Sequence, residues 1–275
     1  MTVTIVTDSA AALPPDLVQR YGVTVVPMWL SIRGEPVPEG ERSLEELLAE
    51  EQVTTSAPTP GEFERAIKAG LDHADGALVL TIAGSMSATY QSALVAAQAV
   101  GGPVRVVDTA TAAGAEALVV LAAAEAAQGG ASLDEADARA RRVIERVRLV
   151  ATLPNLDHLV RGGRVPGIAG WAGRRLGINP LFEFRGGKVH RLRPALSADA
   201  AYDRIVGLLR RSRVEGARLH IVALHALALD TAHRLLERVE QQFGPTTAFV
   251  GEFGPVMVVH TGPGLAGLAW WWDEA

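Results

Sequence analysis

Apolar and polar positions alternate along the first 127 residues in a repeating order of short apolar runs and longer helix-like ones. The stretch over 77–93, ALVLTIAGSMSATYQSA, sets the pattern. An apolar run to Ile82 breaks at Ala83-Gly84-Ser85, and Ser87-Ala88-Thr89 then opens a helical run to residue 99, which predicts a strand, a tight turn and a helix start. A helix start carries unpaired N–H groups and a partial positive charge, and Ser85, Ser87 and Thr89 add hydroxyls beside them.

The same grammar predicts strands over 3–6, 23–30 and 104–107, a turn-rich loop over 34–40, and helices over 15–20, 44–50, 62–71 and 114–128. Ser43 with Glu46 forms a capping-box pattern, and the prolines at 58 and 60 exclude a helix interior across 54–60. A helix over 132–147 carries acids early and arginines late, as the helix dipole favours, and marks the expected domain boundary. Beyond it the pattern changes to short strands over 149–153 and 181–184, a short helix over 156–160, and a Gly186-Gly187 hairpin turn into 189–192. Helices over 200–213 and 230–243, and strands over 220–225, 248–253 and 256–260, complete the chain. The expected fold class is α/β in two domains: residues 1–148 as a mostly parallel α/β sheet domain, and residues 149–275 as an α+β domain with antiparallel pairs.

Composition narrows the function. A 275-residue chain, 48% hydrophobic and 21% charged, has ample material for a packed core. A net charge of −5 argues against a general nucleic-acid binder, and the absence of cysteine excludes disulfides and thiolate chemistry. No apolar stretch reaches the roughly 18 residues a membrane span needs, and the N-terminus has no basic leader region, so a cytoplasmic location is expected.

Five polar clusters stand at strand ends or in Pro/Gly loops: Thr7-Asp8-Ser9, Thr54-Thr55-Ser56, Ser85/Ser87/Thr89, Asp108-Thr109, and the run from His260 through Thr261 to Gly264. Each alone reads as a turn or a cap; together they describe a polar-rimmed cleft at the carboxyl ends of a sheet. No P-loop, no HExxH and no nucleophile elbow accompanies them. Asp8, Ser87 and His260 have the composition of a triad, but nothing in the spacing fixes their geometry. His220 and His225, at odd spacing on one strand, point to opposite faces and make a poor metal site, so no metal is expected. Residues 161–193 hold eight basic side chains against the single acid Glu183, which reads either as a solvated face or as a docking surface for an acidic or phosphate-bearing partner.

In this order the clusters resemble the DegV family, whose members include the fatty-acid-binding subunits of bacterial fatty acid kinase. The matching stretches are Val6-Thr7-Asp8-Ser9, Thr55 through Pro60, Ser87 through Ala93, Gly162-Gly163-Arg164, Phe253-Gly254-Pro255-Val256 and His260 through Gly264. The resemblance implies a fatty acid buried between two domains, its carboxylate held by Thr55, Ser87 and His260, with Ser56, Gly84, Ser85, Arg164 and Thr261 nearby. It also implies a carrier with no catalytic residues and no cofactor, which presents the bound acyl group to a separate ATP-dependent kinase that makes an acyl phosphate. The chain departs from the family pattern in three places: paired serines are replaced by Ala83 and Gly84, a glutamine by Ala57, and a Lys and an Arg expected after the second-domain hairpin fall near Pro194 and Leu196, with Arg191 and Arg193 slightly displaced. A second reading of the same residues is an enzyme that performs acyl or phosphoryl chemistry at a Ser87/His260 cleft.

Overall fold

The computed structural model describes residues 2–50, 52–154, 156–163 and 178–274. Its N-terminal part is a parallel sheet built from β1 (Val3–Asp8), β2 (Thr24–Val26), β6 (Gly76–Thr81) and β7 (Val104–Asp108), in the order β2-β1-β6-β7. Every pair in it is parallel, so each connection must cross a face of the sheet, and helices do so. Helices α3 (Pro60–Leu71) and α4 (Thr89–Val100) cover one face, where Phe63, Ile67, Ala93 and Ala96 pack on Val6, Ala77 and Val79. A short helix, α1 (Pro15–Tyr21), follows β1.

The C-terminal part is a mixed six-stranded sheet. Strands β8 (Arg148–Thr152), β9 (Leu181–Arg185), β10 (Lys188–Arg191), β11 (Arg218–His225), β12 (Thr247–Glu252) and β13 (Ala266–Asp273) run in the order β10-β9-β8-β13-β11-β12. Only the β11–β12 pair is parallel. Side chains alternate along these strands with period two. Leu219, Ile221 and Ala223 face helices α8 (Ala198–Arg211) and α9 (Leu229–Phe243), whereas Val222 and Leu224 face the other way.

That other face meets α5 (Ala113–Gln128), which lies between the two sheets and touches β1, β6, β8, β11 and β13. From Ala113 to Ala124 every residue of α5 is buried. A helix apolar all round needs cover on all sides, and two sheets provide it. Its neighbour α6 (Leu133–Arg146), capped by Ser132 and Glu135, is amphipathic and turns Ala136, Ala140 and Val143 inward. The apolar core therefore runs without interruption from Ile5, Leu78 and Leu80 through Leu118 and Val119 to Leu149, Phe182, Phe184, Val222 and Trp271.

The chain departs from its sequence pattern in four places. The run over 23–30 is two strands, because Pro27, which cannot donate to a ladder, ends β2, and the chain restarts as β3 (Trp29–Ile32). The expected loop over 34–40 contains β4 (Glu35–Pro38), an edge strand where prolines are tolerated, joined to β3 by an Arg33-Gly34 turn with both residues at positive φ. With β5 (Val53–Ser56) these form a three-stranded antiparallel sheet, flanked by α2 (Leu44–Ala49). The expected strand over 256–260 is a helix, α10 (Pro255–Thr261): Pro255 sits at its first turn and Gly262 at φ 74° stops it. Finally, β13 occupies a central place in its sheet, although the sequence pattern suggested no strand there.

Candidate functional site

The three-stranded sheet and α10 bring together residues far apart in the chain. Helix α10 packs on α2, β3 and β5. Thr55 Oγ1, from β5, and His260 Nε2, from the last turn of α10, stand 2.7 Å apart across 205 residues of sequence. Both side chains are half-buried, so the bond holds them in place while leaving them reachable. On the far side of His260 lies α7 (Asp157–Gly162): a β-carbon on Gly162 would stand 3.0 Å from His260 Nδ1. The reverse contact has the same form, since a β-carbon on Gly262 would meet His158 Cδ2 at 2.5 Å. Two glycines thus allow α7 and α10 to approach closely, which gives the Gly162-Gly163 pair a physical role; Gly163, at φ 66°, ends α7 in the left-handed conformation.

The remaining predicted site residues fall in several places. Ser87 Oγ pairs with Thr89 Oγ1 at 2.7 Å and accepts from Thr89 N, the first amide of α4, whose N-cap is Ala88. Gly84 N donates to Asp108 Oδ2 at 3.1 Å. Ser85 Oγ donates to Gly187 O at 2.7 Å, and Gly187 N donates to Ala110 O, so the β9–β10 hairpin tip is tied to the carboxyl edge of the parallel sheet. Ser56 is exposed at the end of β5, opposite Trp29. Thr261 Oγ1 is spent on the carbonyls of Met257 and Gly262. Arg164 lies outside the described residues, as do Arg174 and Arg175.

In the other two polar clusters the two aspartates and Thr109 serve the backbone. Asp8 is fully buried and accepts from Ala10 N and Ile82 N. Burial pushes its carboxyl up to about 7 against those two bonds, with Glu39 adding to the rise. Asp108 accepts from Ala110 N and Gly84 N, and Thr109 Oγ1 donates to Thr81 O. With Asp8 committed to two amides and Ser87 to Thr89, the Asp8–Ser87–His260 set does not form a relay. His220 stacks on Trp271 and bonds Thr247, while His225 Nδ1 accepts from Ala228 N; burial lowers both pKa values.

The sequence reading missed two acids. Glu116, in the middle of α5, is fully buried; Thr7 Oγ1 donates to it at 3.4 Å, and burial together with nearby Asp8 holds its carboxyl well above the usual range. In sequence it is one polar residue in an alanine-rich helix, indistinguishable from a solvent-facing one. Glu39 receives Ser9 Oγ and Val256 N, and burial raises its pKa as well. Among the described residues no group of three or more His, Asp or Glu is placed to hold a metal ion, and no helix is long and apolar enough to cross a membrane.

Among the described residues, cavities open on the surface at two places apart from the Thr55–His260 pair. One of about 620 Å³ is lined by Arg20, Glu125, Arg139, Arg218, His220 and Asp273; another of about 660 Å³ is lined by Asp8, Pro27, Glu39, His225, Glu252 and Phe253, of which Asp8, His225 and Glu252 end strands of the two large sheets. Neither is lined by Thr55, Ser87 or His260, so neither marks the Thr55–His260 pair.

Comparison with known proteins agrees with this architecture. Residues 2–272 match the model of the DegV family of uncharacterised proteins. A DegV domain-containing protein of Streptomyces coelicolor is 35% identical over 273 residues, covering 97% of each chain. A protein of Thermotoga maritima named a fatty acid-binding protein is 30% identical over 285 residues, covering 98% of this chain and 97% of its own. The structure of a DegV family protein from Thermus thermophilus, described for its fatty acid binding, superimposes with a TM-score of 0.91 at 32% identity, covering 99% of this chain and all of the other. With the family pattern matched from end to end and the two-domain fold shared, this chain belongs to the DegV family.

Proposed function

We propose that this protein is a fatty-acid carrier: it binds one long-chain fatty acid, with the carboxylate held by Thr55, Ser87 and His260 and the tail buried in the apolar core between the two large sheets. The observation that carries the reading is the Thr55–His260 pair, two hydrogen-bonding side chains held 2.7 Å apart at the edge of that core. Burying about 14 methylenes at roughly 0.8 kcal/mol each contributes about 11 kcal/mol gross, so the tail dominates affinity. The polar groups orient the head, because a carboxylate removed from water without hydrogen bonds is costly or stays protonated.

The carrier presents its carboxylate to an ATP-dependent kinase in the cytoplasm, which forms the acyl phosphate; the chain itself supplies no catalytic group. Purified protein from a bacterial host should carry about one long-chain fatty acid per chain, read by native mass spectrometry. Protein that stays apo and takes up neither palmitate nor oleate would end this reading. The double variant Thr55→Ala/Ser87→Ala should bind more weakly, by about 1.5–3 kcal/mol for each bond lost. Alone, the protein should turn over no acyl ester, acyl phosphate or nucleotide; a rate abolished by Ser87→Ala or His260→Ala would replace the carrier with an enzyme.

A further inference from the structure

We propose that Glu39 is a positioning residue for the head-group site, fixing helix α10 so that His260 meets Thr55; the proposal rests on the fatty-acid reading above. Glu39 directly follows β4 and reaches two other elements. Its Oε2 receives the hydroxyl of Ser9, whose oxygen in turn accepts from Met28 N at 3.0 Å. Its Oε1 accepts from Val256 N, at the start of α10, at 3.1 Å.

One carboxylate therefore joins the three-stranded sheet, the carboxyl end of β1 and the beginning of α10. The room for it comes from Gly254, where a β-carbon would stand 2.5 Å from Glu39 Oε1. This gives the glycine of the Phe253-Gly254-Pro255-Val256 stretch a mechanical reason.

The other end of α10 carries His260, four residues beyond Val256 and so about 6 Å along the axis at 1.5 Å per residue. Thr55 stands on β5, which pairs with β3, the strand that also pairs with β4. Helix α10 is thus fastened at both ends to the same small sheet, by Glu39 to Val256 and by Thr55 to His260. Two fastenings define the helix's rotation as well as its position. Packing on α2 and α7 holds the body of α10, and losing the first tie frees its starting turn, so that the imidazole loses its fixed direction toward Thr55. A carboxylate suits the task because its two oxygens accept from a hydroxyl and an amide at once. A glutamine retains one acceptor oxygen for Val256 N and can offer its NH2 to the Ser9 oxygen.

The test compares wild type, Glu39→Gln, Glu39→Ala and Ser9→Ala by palmitate affinity and by the imidazole NMR signals of His260 in ligand-free protein. Glu39→Ala should weaken palmitate binding at least tenfold and shift the His260 signals. Ser9→Ala should move both less, and Glu39→Gln should stay within threefold of wild type with a near-native imidazole signal. Should Glu39→Ala fail to fold, Ser9→Ala decides: a shifted His260 signal supports the proposal and an unshifted one overturns it. A folded Glu39→Ala with an unshifted His260 signal overturns the proposal whether or not affinity falls. Wild type that binds no palmitate would remove the fatty-acid reading, while the His260 signals would still decide whether Glu39 positions that side chain.

Discussion

Gly114 and Leu224 meet so closely that a β-carbon on Gly114 would stand 2.3 Å from Leu224 Cδ2, with Val222 Cγ1 at 2.8 Å. Helix α5 approaches strand β11 this closely at a position that has no side chain, and the contact of the two elements lies in the core that the two large sheets share. Gly114→Ala should therefore destabilise the protein by about 1–3 kcal/mol, the usual cost of overpacking, even though alanine is the better helix former. Urea titration checks it. Adding Leu224→Ala should recover part of the loss relative to the sum of the single changes, since the two residues touch.

Asp8 predicts a pH dependence. Its carboxyl is raised from an ordinary value of 3.8 to about 7, mainly by burial, so the folded state holds a proton the unfolded chain releases. The contribution to stability is complete below about pH 4 and is lost as pH rises to about 7, because folded protein binds more protons than unfolded across that window. Glu116, raised in the same direction by burial and by Asp8, contributes a loss of the same sign. Thermal unfolding followed from pH 4 to 8 should show stability falling with pH from these groups, and Asp8→Asn should flatten the slope. A variant with the wild-type slope would mean that Asp8 stays ionised throughout.

The C-terminal strand is fastened by its own ion pairs. Asp273 receives both Nη1 and Nη2 of Arg139 and Nη2 of Arg218, and Arg139 lies over the ring of Trp271 at 4.8 Å. The side chain of Asp273 is 4% exposed and that of Arg139 20%, so this pair lies between a surface bridge, with little net effect, and a buried one whose breaking costs about 3–5 kcal/mol. Asp273→Ala should cost about 2–3 kcal/mol, read as a lowered midpoint in urea, and hydrogen exchange in β13 should quicken.

These residues also show what was legible in the sequence. The parallel sheet and its helices could be read because apolar runs alternate with capped, amphipathic segments such as the Ser132–Glu135 box before α6. Strand β13 could not, since all eight residues are buried on both faces and the run has no alternation to display. Helix α10 was hidden by its valines, which favour strands; its proline start, Glu39 tie and packing on α7 override that preference. At the candidate site the types were visible and the partners were not. Nothing in the spacing of Thr55 and His260 tells that they bond, and Glu39, on an edge hairpin rich in proline and glycine, read as loop surface.

The last prediction concerns the partner kinase. Among the described residues Arg185, Lys188, Arg191 and Arg193 give the β9–β10 hairpin and the residues just after it a basic character in a chain of net charge −5. Arg185 and Lys188 flank the hairpin tip that Ser85 and Ala110 hold against the carboxyl edge of the parallel sheet. Positive charge is thus brought to the side of the molecule where the strand ends lie. Where the resemblance places a Lys and an Arg, this chain has Pro194 and Leu196 nearby, and Leu196 is 86% exposed. On the proposed carrier reading, docking of a kinase would rest on the arginines before them, whose planar forks bind phosphate or carboxylate through two bonds at once. Exposed charges are screened beyond about 8–10 Å at physiological ionic strength, so kinase-dependent phosphorylation of the bound fatty acid should slow as salt rises. The pair Arg191→Ala/Arg193→Ala should slow it further at low salt and flatten the salt dependence, while Leu196→Lys should quicken it. Equal rates for all three proteins across a salt series would remove this face from the reaction.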